Sequence, residues 1–348
     1  MTLGFDVLGF LISWITLFGT YAIISMSLNL EIGFTGMADF GKVAFYGIGA
    51  YLAATITAII FLVVNGIKCP LHSVEAIVAL KKCASKNPLL NIGTFVLCLF
   101  VTFFVTGGIG YLISYPTLRV GPAFLGITVL SFGELLRIFM RHFEPTGGTK
   151  GLAGIPHPLA WISNPRLRDG IYALVILAIM LLTYLVSERI ANSPFGRIMR
   201  TVRDDEIASL CLGKHVPRIK ASVFFLASGF AGIAGVLLAY YLGSVNPDMF
   251  VPAVTFNVWA MVIFGGMGNN KGAIVGSAVI TFVDRISFVV NLLFPEAIIS
   301  PDYIRWMIIG VLILVTLLFK PQGLVPESPM KSPALKIISD ELEGDNGA

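Results

Sequence analysis

Long apolar runs, separated by short polar or glycine-rich links, dominate the pattern of this chain. A helix needs about 20 predominantly apolar residues to cross roughly 30 Å of hydrocarbon. The runs that approach this length lie at about 8–30, 43–64, 92–113, 123–140, 171–186, 222–242, 253–264, 273–283 and 306–319. Because lipid offers the backbone no hydrogen-bond partner, each run is predicted to be helical. The pattern therefore predicts an all-α, polytopic membrane bundle of about nine transmembrane helices, within a range of eight to ten.

The composition supports a membrane protein. Of the 348 residues, 56% are hydrophobic and only 13% are charged, whereas a soluble domain carries about 25% charged residues. A water-soluble fold could not cover its surface with so little charge, and disordered chains are poor in hydrophobic residues. The net charge of +4 is too small to indicate a nucleic-acid partner, so membrane lipid is the expected surrounding.

The basic residues indicate an orientation, because cytoplasmic loops carry an excess of Lys and Arg. Seven of the 24 basic residues fall in segment 188–220, which we therefore expect in the cytoplasm. Counting spans back from it places the 65–90 link outside the cell, although that link also holds basic residues. We expect residues 1–325 to form the transmembrane domain. Residues 326–348, rich in proline and acidic at the end, are expected to form a disordered cytoplasmic tail.

The inventory of chemically reactive residues argues against an enzyme. The four histidines lie in loops, and neither HExxH nor GxSxG occurs. The four cysteines lack metal-site spacing, so no metal or cofactor is expected. Cys69 and Cys83 share the 65–90 link. A disulfide between them would be a modest structural staple in an extracellular loop, and two free thiols are the alternative because sequence does not give their distance.

Two glycine-rich stretches interrupt the apolar pattern. Gly33, Gly36 and Gly41 are predicted to permit non-helical backbone at membrane depth. A second stretch, 265–272, aligns with the first through its Gly266-Met267 pair. Interruptions at corresponding places in two halves indicate the transport pathway of a repeat-built transporter. The sequence thus suggests an internal pseudo-repeat.

The first glycine-rich stretch also comes close to a nucleotide-binding motif. Residues 36–43 read GMADFGKV, which departs from GxxxxGK[ST] at the last position. Val43 has no oxygen with which to hold Mg²⁺, and the stretch links two spans instead of a strand and a helix. We therefore expect any ATP to be bound by a partner of this chain.

Ionisable residues inside the apolar runs are candidates for function. Glu134 and Arg137 lie three residues apart and so share a helix face. An interfacial ion pair near the end of the helix is the alternative interpretation. Asp284 and Arg285 are adjacent, hence about 100° apart on a helix, and cannot both face one cavity. We expect the eighth span to end before them.

Segment 188–220 contains the sharpest local signals. Ser193-Pro194 is a helix start, with serine as the cap and proline at the first position. Residues 204–206 (Asp-Asp-Glu) are predicted to begin a second short helix, because acids stabilise a helix N-terminus, and Gly213 with Pro217 ends it. The apolar side chains of this second helix are Ile207, Leu210 and Leu212. Such a helix could lie on the membrane surface, or form a knob that fits a groove on a soluble subunit.

Several blocks together resemble branched-chain amino acid ABC transporter permeases of the LivM type, within the binding-protein-dependent transport system inner membrane component family. They are SPFGR at 193–197 with RDDEIA at 203–208, SLNL at 27–30 with the glycines up to 51, TGGTKGLAGIP at 146–156, GGMG at 265–268 and FKPQGL at 319–324. Their order matches from about residue 20 to 325. Two departures are Lys42, where the family usually has a small residue or His, and a long 65–90 link.

The resemblance implies a permease subunit of an ABC importer in a prokaryotic cell membrane, moving leucine, isoleucine and valine. Its implied partners are a homologous second permease, two cytoplasmic ATP-binding subunits and an extracytoplasmic solute-binding protein. Urea and short-amide permeases share these motifs and are the alternative within the class. A stand-alone secondary transporter is the alternative from another class, and it would need ionisable residues deep in several spans.

Two sets of site residues follow from the resemblance and the patterns above. The ATPase-coupling set is Arg197, Arg200, Arg203, Asp204, Asp205, Glu206, Ala208 and Gly213. The candidate pathway set is Asn29, Gly33, Thr35, Gly36, Thr128, Glu134, Thr146, Gly147, Gly148 and Gly266.

Overall fold

A computed structural model describes residues 6–67, 69–118, 122–293 and 301–327. Its α-helices are α1 (Val7–Thr35), α2 (Lys42–Val64), α3 (Val74–Lys86), α4 (Pro88–Leu118), α5 (Pro122–His142), α6 (Pro165–Asn192), α7 (Pro194–Asp204), α8 (Glu206–Cys211), α9 (Val216–Leu242), α10 (Pro252–Gly265), α11 (Asn270–Leu293) and α12 (Pro301–Phe319). Two short strands, β1 (Leu152–Ala153) and β2 (Ser244–Val245), pair antiparallel. Most of the predicted tail, from residue 328, lies outside the described residues.

Every predicted span coincides with a helix, so the all-α polytopic bundle is confirmed. Seven of the described segments are long and apolar enough to cross a membrane, namely α1, α2, α4, α6, α9, α11 and the stretch ending in α10. The apolar part of α12, Tyr303–Phe319, is shorter. The remaining predicted span, α5, contains the ionisable Glu134 and Arg137.

Helix α9 occupies the centre of the bundle and packs against α1, α2 and α4. Its small residues allow the backbones to approach closely, which favours packing where the hydrophobic drive between helices is absent. A Cβ on Gly49 of α2 would overlap the Gly232 carbonyl of α9. A Cβ on Gly235 would likewise overlap the backbone of Tyr46. These contacts fix α2 alongside α9.

The bundle has two distinguishable ends, which we call the α7 end and the α3 end. At the α7 end, α1 and α6 terminate beside α7, and α9 begins beside α8. At the α3 end, β1 and β2 pair, and the Gly154 amide donates to the Gly243 carbonyl at 3.0 Å. There the Asn91 side chain also donates to the His157 carbonyl at 2.8 Å. Links 65–90 and 141–169 therefore lie at one end, and segment 188–220 at the other.

The first glycine-rich stretch forms a break inside the bundle. Helix α1 ends at Thr35 and is followed by Gly36, whose φ of 71° is left-handed, and α2 begins at Lys42. Helices α2 and α9 run in the same direction, since Gly49 meets Gly232 and the Thr57 hydroxyl lies 2.6 Å from that of Tyr240. By this register α2 begins about nine residues, or ~14 Å, beyond the start of α9. Non-helical backbone at membrane depth is therefore present at 36–41, whereas Gly33, predicted to belong to it, lies in the last turns of α1.

The expectation about the end of the eighth span is wrong. Helix α11 does not end before Asp284 but continues to Leu293. Its Asp284 carboxylate accepts a hydrogen bond from Asn257 of α10 at 3.1 Å, whereas Arg285 donates to Ser13 of α1 at 3.0 Å. The two side chains point to different neighbours, as their spacing requires, and partners within the bundle let both remain in a continuous helix.

The link 65–90 contains a helix that the patterns missed. Ser73 caps α3 by accepting a hydrogen bond from the Ala76 amide at 3.1 Å. The apolar side of α3, including Leu80, packs against Ala58 and Phe61 of α2. The expected disulfide is absent, since Cys69 and Cys83 are both free thiols. Packing of α3 on the bundle, not a covalent bond, holds this link.

Candidate functional site

The segment α7–α8 forms at the places that its capping residues predict. The Ser193 hydroxyl accepts a hydrogen bond from the Gly196 amide at 3.3 Å, with Pro194 at the first helical position. The Asp205 carboxylate accepts from the amides of Ile207 and Ala208, both at 2.9 Å, and so caps α8. Local hydrogen bonds thus shape the turn between the two short helices.

An apolar knob projects from α8 and the turn after it. Ile207, Leu210 and Leu212 are 75%, 49% and 76% exposed. Isolated exposed apolar residues are ordinary, but three within six positions of one short helix and its following turn can form a patch that fits a partner surface. We call these three residues the α8 knob.

The inner side of α7 is tied to the ends of the membrane helices. Arg200 and Arg203 bind the two oxygens of Glu327 at 3.1 and 2.9 Å. Arg203 also donates to the Gly33 carbonyl at the end of α1. The Arg200 guanidinium lies over the ring of Phe34, 5.1 Å from its centroid. We call Arg200, Arg203, Glu327 and the end of α1 the α7 junction.

Glu327 was not predicted as a site residue, because the tail was expected to be disordered from 326 onward. At its start that expectation is wrong, since Glu327 pairs with two arginines. The Pro326 carbonyl, in addition, accepts a hydrogen bond from Asn269 at 2.8 Å. Two charge-assisted hydrogen bonds and a backbone contact hold this stretch against the bundle.

The two glycine-rich stretches meet at the α7 junction. The Asn29 side chain accepts from the Gly268 amide at 2.9 Å and donates to Asn270 at 3.0 Å. Asn270 in turn donates to Glu188 of α6 at 3.2 Å. A Cβ on Gly33 would collide with the Gly268 backbone. This close contact explains the glycine at 33, which the sequence had placed in a stretch of non-helical backbone.

The predicted pathway residues at this end therefore lie in packed protein. Asn29 and Thr35 are 0% and 2% exposed. Gly36 lies against Arg203, and Gly266, with a φ of 119°, packs against the Val325 carbonyl. They connect α1, α10 and α11 to α7 and do not line an open channel in this conformation.

The predicted coupling residues divide into an inner and an outer group. Arg200 is buried and Arg203 is half-buried within the α7 junction. Glu206 pairs with Lys220 of α9 at 2.6 Å, which fastens α8 to that helix. The outer group, exposed to solvent, consists of Arg197, Asp204, Asp205, Ala208 and Gly213. The inner group can transmit a movement, and the outer group can meet a partner.

A buried charge cluster holds the break at 36–41. The Lys42 ammonium lies 2.5 Å from Glu31 and 3.3 Å from Asp39, and all three side chains are at most 1% exposed. Asp39 also accepts the Gly41 amide at 2.7 Å, and its carbonyl accepts the Trp259 indole N–H at 2.8 Å. The sequence showed Lys42 as part of a near-match to a nucleotide-binding motif and as a departure from the family pattern, and it did not predict the buried pair with Glu31.

Helix α5 carries ionisable side chains that are partly exposed, at the edge of its exposed apolar face. Arg137 binds Glu134 at 2.8 Å, which confirms that they share a face, and it lies 3.5 Å from Asp248. Arg141 lies 2.5 Å from the same Asp248 oxygen. Thr128 is exposed on α5, and its hydroxyl donates to the Phe124 carbonyl. We call Glu134, Arg137, Arg141 and Asp248 the α5 charge cluster.

A narrow cleft with room for about one water molecule lies beside the α5 charge cluster. Its walls come from α2, α5 and the turn that contains Pro247. They are almost wholly apolar, with Arg137 as the charged lining residue. The Tyr51 hydroxyl, also at the wall, has no hydrogen-bond partner among the residues that the structure describes.

The remaining predicted pathway residues form a tight turn at the α3 end. Thr146 is buried and donates to the Phe143 carbonyl at 3.0 Å. Gly147 and Gly148 have φ values of 80° and 54°, which a residue with a side chain adopts rarely. A Cβ on Gly147 would also overlap the Gly151 carbonyl. The TGG motif thus shapes the end of α5.

His157, in the same end of the molecule, is an unusual titratable group. Burial and the nearby Arg168 lower the pKa of His157 to about 4, against an opposing effect of Asp169. Its Nδ1 accepts the Leu159 amide at 3.2 Å. Within the described ranges, no group of three or more His, Cys, Asp or Glu residues is arranged to hold a metal ion.

Comparison with known proteins gives a consistent family match. Residues 10–317 match the model described as branched-chain amino acid transport system, permease component. The probable branched-chain amino acid transport permease protein LivM of Methanocaldococcus jannaschii is 30% identical over 98% of this chain and 100% of its own length. LivM of Escherichia coli strain K12 is 29% identical over 95% of this chain and 72% of that protein.

A second permease of Escherichia coli K12 matches as well. Its high-affinity branched-chain amino acid transport system permease protein LivH is 24% identical over 89% of this chain and 92% of its own length. One bacterium therefore has two permeases similar to this chain. No solved structure matches.

Proposed function

The chain belongs to the family of branched-chain amino acid transport system permease components, and on that premise we propose that it is the membrane-spanning permease of an ABC importer for leucine, isoleucine and valine. ATP hydrolysis in separate subunits would drive the transport. The protein is a multi-pass protein of the cell membrane, with seven described segments long and apolar enough to span it. No step of ATP chemistry is assigned to this chain.

The α7 junction is the observation that supports this proposal most strongly. Arg203 contacts the end of α1, and through Glu327 it is linked to the stretch that follows α12. A displacement of α7 would therefore act directly on the ends of membrane helices. The break at 36–41 extends the contact, since Gly36 lies against Arg203 and Gly41 against Val129 of α5. Residues 36–41 thus pack against α7 at one end and against α5 at the other.

The partners follow from the exposed surfaces and the family. The α8 knob would dock into a groove on one of two ATP-binding subunits, with the α7 end in the cytoplasm. The α5 face, whose charged groups are disfavoured in lipid, would face a second, homologous permease. The α3 end, with α3 and the paired strands, would receive an extracytoplasmic solute-binding protein.

A secondary transporter remains the alternative from another class, because ionisable groups do lie deep in the bundle. Glu31, Asp39 and Lys42 bind one another, and Asp284 is bonded to Asn257 and lies 3.6 Å from Arg305. Such internal pairing favours a structural role over ion coupling.

Reconstitution tests the proposed function. Proteoliposomes that contain this chain, the partner permease, both ATPases and the binding protein should accumulate leucine only when ATP is present. Excess valine should compete, and excess urea should not. Uptake by this chain alone on an ion gradient would contradict the proposal. Competition by urea but not by valine would identify urea or a short amide as the substrate.

The α8 knob can be tested in the same system. Ile207→Asp places a charge in the apolar contact, so we expect ATPase binding to weaken by about tenfold or more. Val74→Asp, on an equally exposed residue at the α3 end, is the matched control. Pull-down of the ATPase on immobilised permease measures the effect. Equal ATPase binding by both variants would show that the knob is not the docking surface.

A further inference from the structure

An open groove lies at the α7 end, between the ends of α10 and α12. Its volume is about 300 Å³, which is at the lower end of pockets that hold a ligand, about 300–1,000 Å³. Ile263, Met267 and Leu317 supply its apolar surface, and the last two are 46% and 41% exposed. Glu327, the last described residue of the chain, lies in its wall. We call this cavity the α10–α12 groove.

The surroundings of the α10–α12 groove are basic. A second groove of about 250 Å³ adjoins it through shared wall residues, and the exposed Lys320 lines that second groove. Lys271, also exposed, follows two residues after Asn269, whose side chain donates to the Pro326 carbonyl. The carboxylate of Glu327 is neutralised by two arginines. An apolar segment that carries acidic residues would therefore complement this surface in shape and in charge.

Residues 334–343, which lie outside the described residues, have that pattern in their sequence. Leu335, Ile338 and Leu342 are three and four positions apart, the spacing that places side chains on one side of a helix. The same ten residues contain three acids and one lysine, a net charge of −2. The sequence thus provides an acidic segment with one apolar helical side.

The connection to the groove is short. Six residues, 328–333, separate Glu327 from this segment, and an extended chain of that length reaches about 20 Å. A short tether gives an effective concentration in the millimolar range, so a weak contact is sufficient for docking. Lipid is a poorer partner, because helices that bind a membrane surface are rich in Lys and Arg and the cytoplasmic leaflet is negatively charged.

We propose that residues 334–342 form an amphipathic helix that docks into the α10–α12 groove of the same chain. Leu335, Ile338 and Leu342 face the groove, in the manner of a helix that inserts its apolar side between other helices. The acidic residues remain near the basic surroundings. Because Glu327 belongs both to the groove wall and to the α7 junction, the docked segment becomes a further contact of that junction. This interaction goes beyond the proposed function and requires neither substrate nor ATP.

Hydrogen exchange of the full-length permease in lipid nanodiscs tests the docking. The amides of 335–342 should exchange at least about tenfold more slowly in the wild type than in Ile338→Asp, since docking protects the helix from opening. Ile337→Asp is the matched control, because the neighbouring isoleucine lies about 100° away on the helix, and it should keep the slow exchange. Fast exchange in the wild type, or equal exchange in the two variants, would contradict the proposal.

A change on the other side of the contact identifies the groove. Met267→Trp fills the α10–α12 groove and should accelerate the exchange of 335–342 about as much as Ile338→Asp does. Met307→Trp, at an exposed methionine of α12 that is not part of the groove wall, is the control. Slow exchange that persists in Met267→Trp, with an unchanged thermal unfolding profile, would place the segment on lipid or on another surface and overturn the proposal.

Disulfide trapping decides the matter if Met267→Trp does not fold. In a Cys211→Ser background, Met267→Cys combined with Ile338→Cys should form a disulfide within one chain, and Met267→Cys combined with Ile337→Cys should form severalfold less. A disulfide between two chains would assign the segment to a second copy, and equal yields would show that the apolar side does not face the groove. Neither leucine nor ATP enters these measurements, so their failure leaves the proposed function untouched.

Discussion

Lys42 carries an ammonium group into the interior of the bundle, where water cannot solvate it. The side chain is 1% exposed and is flanked by the fully buried Glu31 and Asp39. A buried charge is tolerated where opposite charges and hydrogen bonds surround it. Because Glu31 belongs to α1, and Asp39 and Lys42 to the break and the start of α2, the cluster fastens the break to the preceding helix.

Removal of the ammonium should therefore destabilise the bundle. Lys42→Met leaves two buried carboxylates without their cation, and breaking a buried pair costs about 3–5 kcal/mol. The free energy of unfolding in an SDS titration measures this loss. Lys271→Met, at an exposed lysine, should stay within about 0.5 kcal/mol of wild type. Equal stability of the two variants would show that the cluster is not structural.

His157 makes the α3 end sensitive to acid. Its folded-state pKa of about 4 lies below the ordinary value of 6.5, because burial disfavours the charged ring. The unfolded chain binds the proton first, so stability is fully present above about pH 6.5 and falls as the pH drops toward 4.

Replacement of His157 should remove this acid sensitivity. His157→Gln should flatten the decline of the thermal unfolding midpoint between pH 7 and pH 4. His142→Gln, at an exposed position of the same end, should keep the wild-type profile. A decline that is unchanged in His157→Gln would assign the acid sensitivity to other groups.

At the scale of elements, local signals predicted helices well and long-range contacts poorly. Ser193 and Asp205 cap α7 and α8 through amides two or three residues away, so their sequence neighbours contain the information. Helix α3, although capped locally by Ser73, was missed because it is only 13 residues long, shorter than the apolar runs that mark a span. The continuation of α11 past Asp284 likewise depends on Asn257, a partner on another helix.

The same distinction holds for the candidate site. Motifs identified Arg203 and Gly33 separately, but their contact spans 170 positions and no local pattern reports it. Glu327 was hidden because proline-rich surroundings predict disorder, and two arginines override that tendency.

Close packing of α2 on α9 gives a prediction at the element scale. Gly49→Ala puts a methyl group into the Gly232 carbonyl, so the helices must separate at a cost of about 1–3 kcal/mol. Gly310→Ala, at an exposed helical glycine with open space around it, should instead be neutral or stabilise by up to about 1 kcal/mol. SDS titration of both variants measures the difference, and similar stabilities would argue against tight α2–α9 contact.

At the scale of the whole molecule, the break at 36–41 joins the two functional regions. It begins beside Arg203 in the α7 junction and ends beside Val129 of α5. The buried charge cluster ties this short segment to the end of α1 and the start of α2. A movement imposed on α7 can therefore reach the α5 face through one packed element, which is the physical requirement for coupling between sites.

The ratio of leucine imported to ATP hydrolysed, in the complete reconstituted importer, tests this central claim most directly. Glu327→Gln weakens both arginine contacts of the α7 junction. The ratio should fall at least about fivefold, the lower range of coupling free energies, while ATP hydrolysis continues. Glu144→Gln, at an exposed acid of the α3 end, should keep the wild-type ratio. A wild-type ratio in Glu327→Gln would contradict transmission through the α7 junction.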